Sequence, residues 1–478
     1  MGLLLTFLLP VLLAVLGVVR PRLAFYALLG TFVLFDELGP GFTTYSGSFP
    51  FNAAAAGFLG ARLIEIMTVA AYVPIVMLTP RPQNHRTQAF KFEKAVFIIM
   101  AVWIATLSAV ESLIAGGTPK VSDWRLIVTG AMQFHLMVIL FRDLAAVDQL
   151  VKTVVVLLCL KATFGLALFA AGYGTPTPRG TLPFFWDSKQ VEAFGLGAMV
   201  LFAYLLNFSA IDPRMRQFRF WVAALMLLVL MAAVAGSIRR TIWVSTFLGF
   251  VGVLLVSRRT TFIHYFSILF ATSIAVGGLL LAPGLDKFRD HMGKYVASMN
   301  IFDEKELIGN IEKDVHFDNV KQYFKMITEN PDILALGTHG PSGVHLKDLT
   351  GSYSENGYRL GMAHNGVLRS VLFFGVLGGV VYIAIFVYVF RRTIRLASMG
   401  DETNWLTHTA LACGIYVSLH FAASFFFVPP FYTLSKGLFY TFLELFILGA
   451  AYGNMMLRRQ EMANPTAAQW PAMSAKGG

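Results

Sequence analysis

Charge is what this chain is short of. Asp, Glu, Lys and Arg make up 14% of its 478 residues, against about 25% in an ordinary soluble domain. A water-soluble protein of this size could not cover its surface with so few charges. Cysteine is nearly missing too. The two present, Cys159 and Cys413, both lie inside apolar runs, which argues against a disulfide framework and leaves no zinc ligand set. No cluster of Asp, Glu and His points to a metal ion, and no carboxylate pair of glycosidase type stands out in the polar loops. No internal repeat is evident, which weighs against a transporter assembled from repeated halves. The opening stretch, Met1 to Val19, lacks a basic leader and a small-residue cleavage site. It therefore reads as a membrane span and not as a removable signal.

What fills the chain instead is hydrocarbon. Hydrophobic residues reach 56%, against roughly 45–50% in soluble domains, and the mean hydropathy is +0.65. The apolar residues come in runs of about 20, the length that crosses a hydrocarbon core of roughly 30 Å. In lipid every backbone polar group must bond internally, so spans are helices or closed barrels. Long unbroken runs such as Phe220 to Ala235 lack barrel-like alternation. The fold expected is all-α: a polytopic integral membrane protein with about 12–13 transmembrane helices and a helical periplasmic loop subdomain. The spans fall near 3–19, 23–40, 61–78, 95–115, 126–141, 151–172, 192–208, 220–235, 241–256, 263–282, 366–390, 406–428 and 436–454.

The net charge of +11 resembles a nucleic-acid signal, but its distribution does not. Arg20, Arg22, Arg81, Arg86, Lys91, Lys94, Arg142, Lys152, Arg214, Arg216, Arg219, Arg258, Arg259, Arg391, Arg392, Arg395, Arg458 and Arg459 fall between spans on one side. That is the positive-inside pattern, which makes this side the cytoplasm. No nucleic-acid partner is expected; membrane lipids are. The opposite side carries the longer loops, above all 283–365. Within it Val320, Tyr323, Phe324 and Ile327 repeat at helical spacing and form one apolar face, and Asn330-Pro331 stops that helix. The chain divides into N-terminal transmembrane helices (1–219), a second membrane region with the large loop (220–455), and an Ala/Pro/Ser-rich tail (456–478) expected to be disordered.

The chemistry-bearing residues gather at the end of the large loop. His364 and Asn365 stand at the mouth of a long apolar run, followed by Gly375 and Gly378 inside it, where small residues permit close helix packing. An imidazole at this place meets both water and lipid head groups, and its ordinary pKa of roughly 6.5 suits proton transfer near neutrality. A second feature is Gly236-Ser237-Ile238-Arg239-Arg240-Thr241, squeezed between two spans. The turn is too short for a solvated excursion. Two guanidinium groups near the bilayer edge call for an anionic partner, and guanidinium grips phosphate oxygens in a bidentate fork. A third is Arg179, in a loop that also holds Phe184, Phe185 and Trp186, rings able to stack on sugar faces.

The run His364-Asn365, then Gly375 and Gly378, resembles the signature of the O-antigen ligase and polysaccharide polymerase superfamily of bacterial membrane glycosyltransferases. That signature is His, then Asn, Ser or Gln, a fixed spacer to Gly, two residues, and Gly, Thr or Tyr. The large loop before the motif, with Asp318-Asn319, Asn330-Pro331, Gly337 and Gly343, is similar too. The likeness covers about residues 220–455. The family's outward Ser-Arg pair is matched by Ser237 with either Arg239 or Arg240, one residue being inserted.

The resemblance implies a multi-pass protein of the bacterial inner membrane. It would be a metal-independent glycosyltransferase with no cofactor, taking a glycan from undecaprenyl diphosphate to a hydroxyl acceptor. The acceptor is a lipid A core or another lipid-linked repeat; the first is the ligase reaction, the second the polymerase reaction. His364 would be the catalytic residue, Arg239 and Arg240 the diphosphate-binding residues, and Asn365, His339 and Arg179 supporting or substrate-contacting ones. The plainer readings make His364 a polar helix end, the arginines interfacial anchors and His339 a solvated loop residue. A lipid-linked oligosaccharide flippase or other secondary transporter is the competing class; it leaves the loop ending in His-Asn unexplained. Lys161, His135, His420 and Glu444 lie within spans, where ionisable groups are functional or paired with a neighbouring helix.

Overall fold

The computed structural model describes residues 2–35, 63–79, 89–115, 121–172, 175–177, 180–182, 188–206, 213–236, 240–256, 323–337, 365–399, 405–423 and 436–463. Nearly all of them are helical. In chain order the helices are α1 (Gly2–Val19), α2 (Pro21–Phe35), α3 (Leu63–Leu78), α4 (Lys91–Ala115), α5 (Val121–Leu140), α6 (Leu144–Ala170), α7 (Ser188–Leu206), α8 (Pro213–Gly236) and α9 (Arg240–Val256). Then come α10 (323–329), α11 (Pro331–Leu336), α12 (Gly366–Met399), α13 (Trp405–Ala423) and α14 (Lys436–Ala463). A small antiparallel hairpin, β1 (Thr175–Thr177) paired with β2 (Gly180–Leu182), follows α6.

The molecule is an all-α membrane protein. Among the described residues five helices are long and apolar enough to cross a bilayer, within α4, α6, α8, α12 and α14, and seven shorter apolar helices accompany them. All twelve lie at positions where a span was expected, five of them at spanning length; the stretch 263–282 lies outside the described residues. The helices often begin before their apolar run does. In α6 the backbone ladder starts at Leu144 because Asp143 accepts the Ala146 amide at 2.6 Å, an N-cap that satisfies one of the orphan donors of the first turn.

One continuous apolar core joins helices from Leu13 on α1 to Met455 on α14. α8 runs unbroken across residues 219 and 220. Its inner face buries Ala223, Leu227 and Leu230, while its outer face exposes Trp221, Val222 and Leu225. A helix that is apolar all round has lipid on one side and protein on the other.

α12 departs from a single straight span. At Gly375 the backbone turns to φ 67°, ψ −169°, which splits the helix into an arm, 366–374, and a long member, 376–399. The arm folds back on the long member's first turn: a Cβ on Gly379 would lie 2.7 Å from Val371. Gly375 therefore does more than permit close helix packing; it breaks the helix. α10 and α11 dock on the arm through Tyr323, Ile327 and Ile333, which pack with Val371 and Leu372 in a second, separate apolar cluster. Phe324, expected on that face, is 60% exposed, and Ile333 fills the cluster instead. Asn330 ends α10 by donating its side-chain amide to the Met326 carbonyl at 2.9 Å, and Pro331 opens α11, where its missing N–H costs nothing.

Candidate functional site

Of the residues singled out from sequence, His364, Arg239, His339 and Arg179 lie outside the described residues, as does loop 283–365 apart from 323–337 and Asn365. The framework that holds two of the segments is described.

The first is the turn after α8. α8 ends at Gly236 and α9 starts at Arg240, so three residues, 237–239, make the connection. The Trp243 indole N–H reaches back across the turn to the Val234 carbonyl at 2.8 Å, occupying an acceptor released by the end of α8. The first turn of α9 contains no acidic residue. Its unpaired amides and the positive end of its dipole favour an anion, the same preference that Arg239 and Arg240 carry.

The second is the mouth of α12. Asn365 Oδ1 accepts the amides of Val367 and Leu368, both at 3.0 Å. Asn365 is thus the N-cap of the arm. One turn further on, Arg369 is buried, with its guanidinium 5.2 Å from the Phe373 ring.

The helix contacts bring both segments to one end of the bundle. α7 and α9 run side by side in the same direction, with Gly195 beside Thr246 and Gly249 beside Met199. The Tyr416 hydroxyl on α13 donates to the Glu192 carbonyl at 2.9 Å, which sets the later half of α13 beside the start of α7. α13 in turn lies antiparallel to α12, with Gly414 beside Thr393 and Phe421 against Tyr382. Continuing along α12 from Tyr382 to Gly375 leads toward the end where α7 and α9 begin. Arg240 and Asn365 therefore share that end.

The opposite end is tied by a buried ion pair. Arg392 Nη1 lies 2.6 Å from Glu93 Oε1, and Arg392 also donates to the Ala89 carbonyl. Tyr388 donates to the same carboxylate at 3.2 Å. The rings of Tyr388 and Tyr452 flank the guanidinium at 4.8 and 5.0 Å. This joins α4, α12 and α14.

The ionisable groups inside the helices have separate surroundings. Lys161 donates to the Val33 carbonyl at 2.6 Å, and His135 Nδ1 shares a 2.8 Å hydrogen bond with the Tyr72 hydroxyl. His420 packs against the Tyr416 ring at 4.2 Å, and its buried Nε2 has no hydrogen bond among the described residues. Glu444 is buried on α14. Among the described residues no three His, Cys, Asp or Glu side chains meet in a metal-binding group.

Comparison with known proteins adds no relative: no protein-family model matches the sequence, and no curated protein matches it. The likeness to the ligase and polymerase superfamily thus rests on the motif residues themselves. Sequence reasoning missed Trp103, whose indole N–H donates to the Phe374 carbonyl at 2.7 Å, 271 positions away. A tryptophan in an apolar run carries no signal of such a partner. The sequence reading placed Gly337 only in the loop that resembles the superfamily's, although the residue sits at the same junction.

Proposed function

We propose that this chain transfers a glycan from an undecaprenyl-diphosphate-linked donor to a hydroxyl acceptor at the periplasmic face of the bacterial inner membrane, as an O-antigen ligase does. The observation that carries the reading is the run His364-Asn365, Gly375, Gly378. Support comes from the use the fold makes of it: Asn365 caps the arm, Gly375 breaks the helix, and the arm lies at the same end of the bundle as the start of α9.

In this scheme Arg239 and Arg240 neutralise the diphosphate as the bond from the anomeric carbon to its phosphate oxygen breaks. Stabilising a leaving anion with fixed donors is the largest single contribution such a site can make. The acceptor oxygen forms the new bond to the anomeric carbon, and its proton passes to the neutral imidazole of His364, a contribution of typically ~10²–10⁴-fold. The lipid diphosphate leaves as the anion and carries the electron pair.

The test is transfer of purified lipid-linked glycan in proteoliposomes, with donor binding measured on the same samples. His364→Ala should abolish transfer and keep donor binding. Arg239→Ala or Arg240→Ala should weaken donor binding, with Lys a partial rescue because an ammonium lacks the fork geometry. Activity should fall as pH drops through the imidazole range. Full turnover by His364→Ala removes the base, and full donor binding by both alanine variants removes the diphosphate site. The polymerase reaction of the same superfamily is told apart by the acceptor consumed: a second lipid-linked repeat in place of a lipid A core. The buried Lys161 and Glu444 favour a flippase as the second reading, which predicts donor movement across the bilayer without a new glycosidic bond.

A further inference from the structure

Two glycines meet where the loop helices touch the broken helix. Gly375 has φ 67°, ψ −169° and Gly337 has φ 66°, ψ −151°, a backbone region that only glycine enters without strain. They are complementary. A Cβ on Gly375 would collide with the Ala335 carbonyl and lie 3.1 Å from the Leu336 amide nitrogen. A Cβ on Gly337 would lie 2.6 Å from the Leu372 carbonyl oxygen and 2.7 Å from that of Phe373. Backbone therefore lies directly on backbone, and the end of α11 is seated on the end of the arm.

The break releases the Phe374 carbonyl from the helical ladder, and a carbonyl partly shut off from solvent favours a donor. Trp103 supplies it from α4 at 2.7 Å. Ten residues before Trp103, in the first turn of α4, Glu93 pairs with Arg392 in the far part of α12. Both ends of the long member of α12 are thus held by one neighbouring helix.

We propose that Gly337, Gly375 and Trp103 form a clasp that sets the position of the arm and of its cap Asn365, the residue next in sequence to the proposed base His364, over the membrane bundle. Trp103 and Gly337 are then positioning residues; this half of the inference rests on the glycan-transfer reading. The lever is long. Nine residues of helix span roughly 13.5 Å at 1.5 Å each, so a 10° tilt at the clasp moves the arm's N-terminus by roughly 2.3 Å. A misplacement of about 1 Å can cost 10²-fold in rate.

The experiment uses full-length protein in nanodiscs, as wild type, Gly337→Ala, Gly375→Ala and Trp103→Phe. Backbone hydrogen exchange is followed over 323–337 and 366–374. Transfer is measured at saturating lipid-linked glycan, and donor affinity separately. Both glycine variants should raise exchange in 323–337 at least about tenfold, leave the exchange of α6 to α9 unchanged, and lower turnover about 100-fold with donor affinity within about twofold. Trp103→Phe keeps an apolar aromatic ring and loses the N–H along with the pyrrole ring that carries it. It should raise exchange near Phe374 and lower turnover by about tenfold, and it carries the test if a glycine variant fails to fold. Wild-type exchange in the variants that fold overturns the clasp. Raised exchange with wild-type turnover overturns the positioning role. Loss of donor affinity in step with turnover overturns it too, since misplacing the base alone lowers turnover only. If the wild-type protein itself makes no glycosidic bond, the glycan-transfer reading falls and takes the positioning role with it, while exchange still decides the clasp.

Discussion

Removing one half of the Glu93–Arg392 pair should be among the most damaging single changes to this protein's stability. The two side chains are 5% and 6% exposed, so water and salt screen them little. In Arg392→Met the carboxylate of Glu93 loses its one cationic partner among the described residues and keeps the Tyr388 hydroxyl, at 3.2 and 3.3 Å. Stranding one member of a buried pair costs about 3–5 kcal/mol, two to three and a half orders of magnitude in the folding equilibrium. Glu93→Gln should cost less, about 2–3 kcal/mol, because the amide oxygen still accepts from Arg392. The guanidinium also retains the Ala89 carbonyl and two ring faces, and desolvated ring contacts contribute about 2 kcal/mol or more. The double variant leaves no buried charge, so it should cost less than the sum of the singles, with a coupling of about 2 kcal/mol. The assay is unfolding in mixed micelles by titration with a denaturing detergent, read by circular dichroism. Raising salt should leave the differences unchanged. A cost under about 1 kcal/mol for Arg392→Met, or strict additivity in the cycle, would refute the argument.

Three further predictions follow from the framework. Asn365→Ala should destabilise the arm by about 1 kcal/mol through loss of its cap, with Asn365→Asp or Asn365→Ser restoring most of it; equal exchange rates in the arm for all three variants would deny the cap. Trp243→Phe should cost about 0.5–1.5 kcal/mol through loss of the indole's hydrogen bond to the Val234 carbonyl, and an unchanged unfolding midpoint would show that this bond contributes nothing to stability. Cysteines placed near Asp303 and Glu312 should react with an impermeant reagent applied to the periplasmic side, and cysteines near Arg86 and Arg395 should not; the reverse sidedness would remove the periplasmic reading and the proposed reaction with it.

The membrane class of this protein was legible in composition because solvent chemistry decides it. A run of about 20 apolar residues has few alternatives to a helix in lipid, and the expected span at 241–256 became α9 almost to the residue, while the span expected at 220–235 ends one residue from the end of α8. Helix starts were less legible. α6 begins seven residues before the apolar run first read as its span, since a capped backbone ladder continues through Asp148 and Gln149 regardless of hydropathy. Phe324 was assigned to the buried face of α10 by periodicity, yet it faces outward. Helical spacing groups residues on a face but does not say where a narrow partner, here one arm of nine residues, will sit.

By itself the sequence determined that the chain is helical and membrane-embedded, that two arginines interrupt an apolar stretch, and that a His-Asn pair precedes two glycines. Each of these is a local property, set by the transfer free energy of neighbouring side chains or by residue identity alone. Only the tertiary structure decided that Gly375 breaks its helix, that Gly337 sits against it, that Trp103 donates to the carbonyl so released, and that Glu93 and Arg392 find each other across 299 positions. Those outcomes depend on which backbone groups are left without partners once the helices have packed. In a bundle where nearly every helix is apolar all round, hydropathy ranks no pairing above another, and the few polar groups and missing side chains select the one that forms.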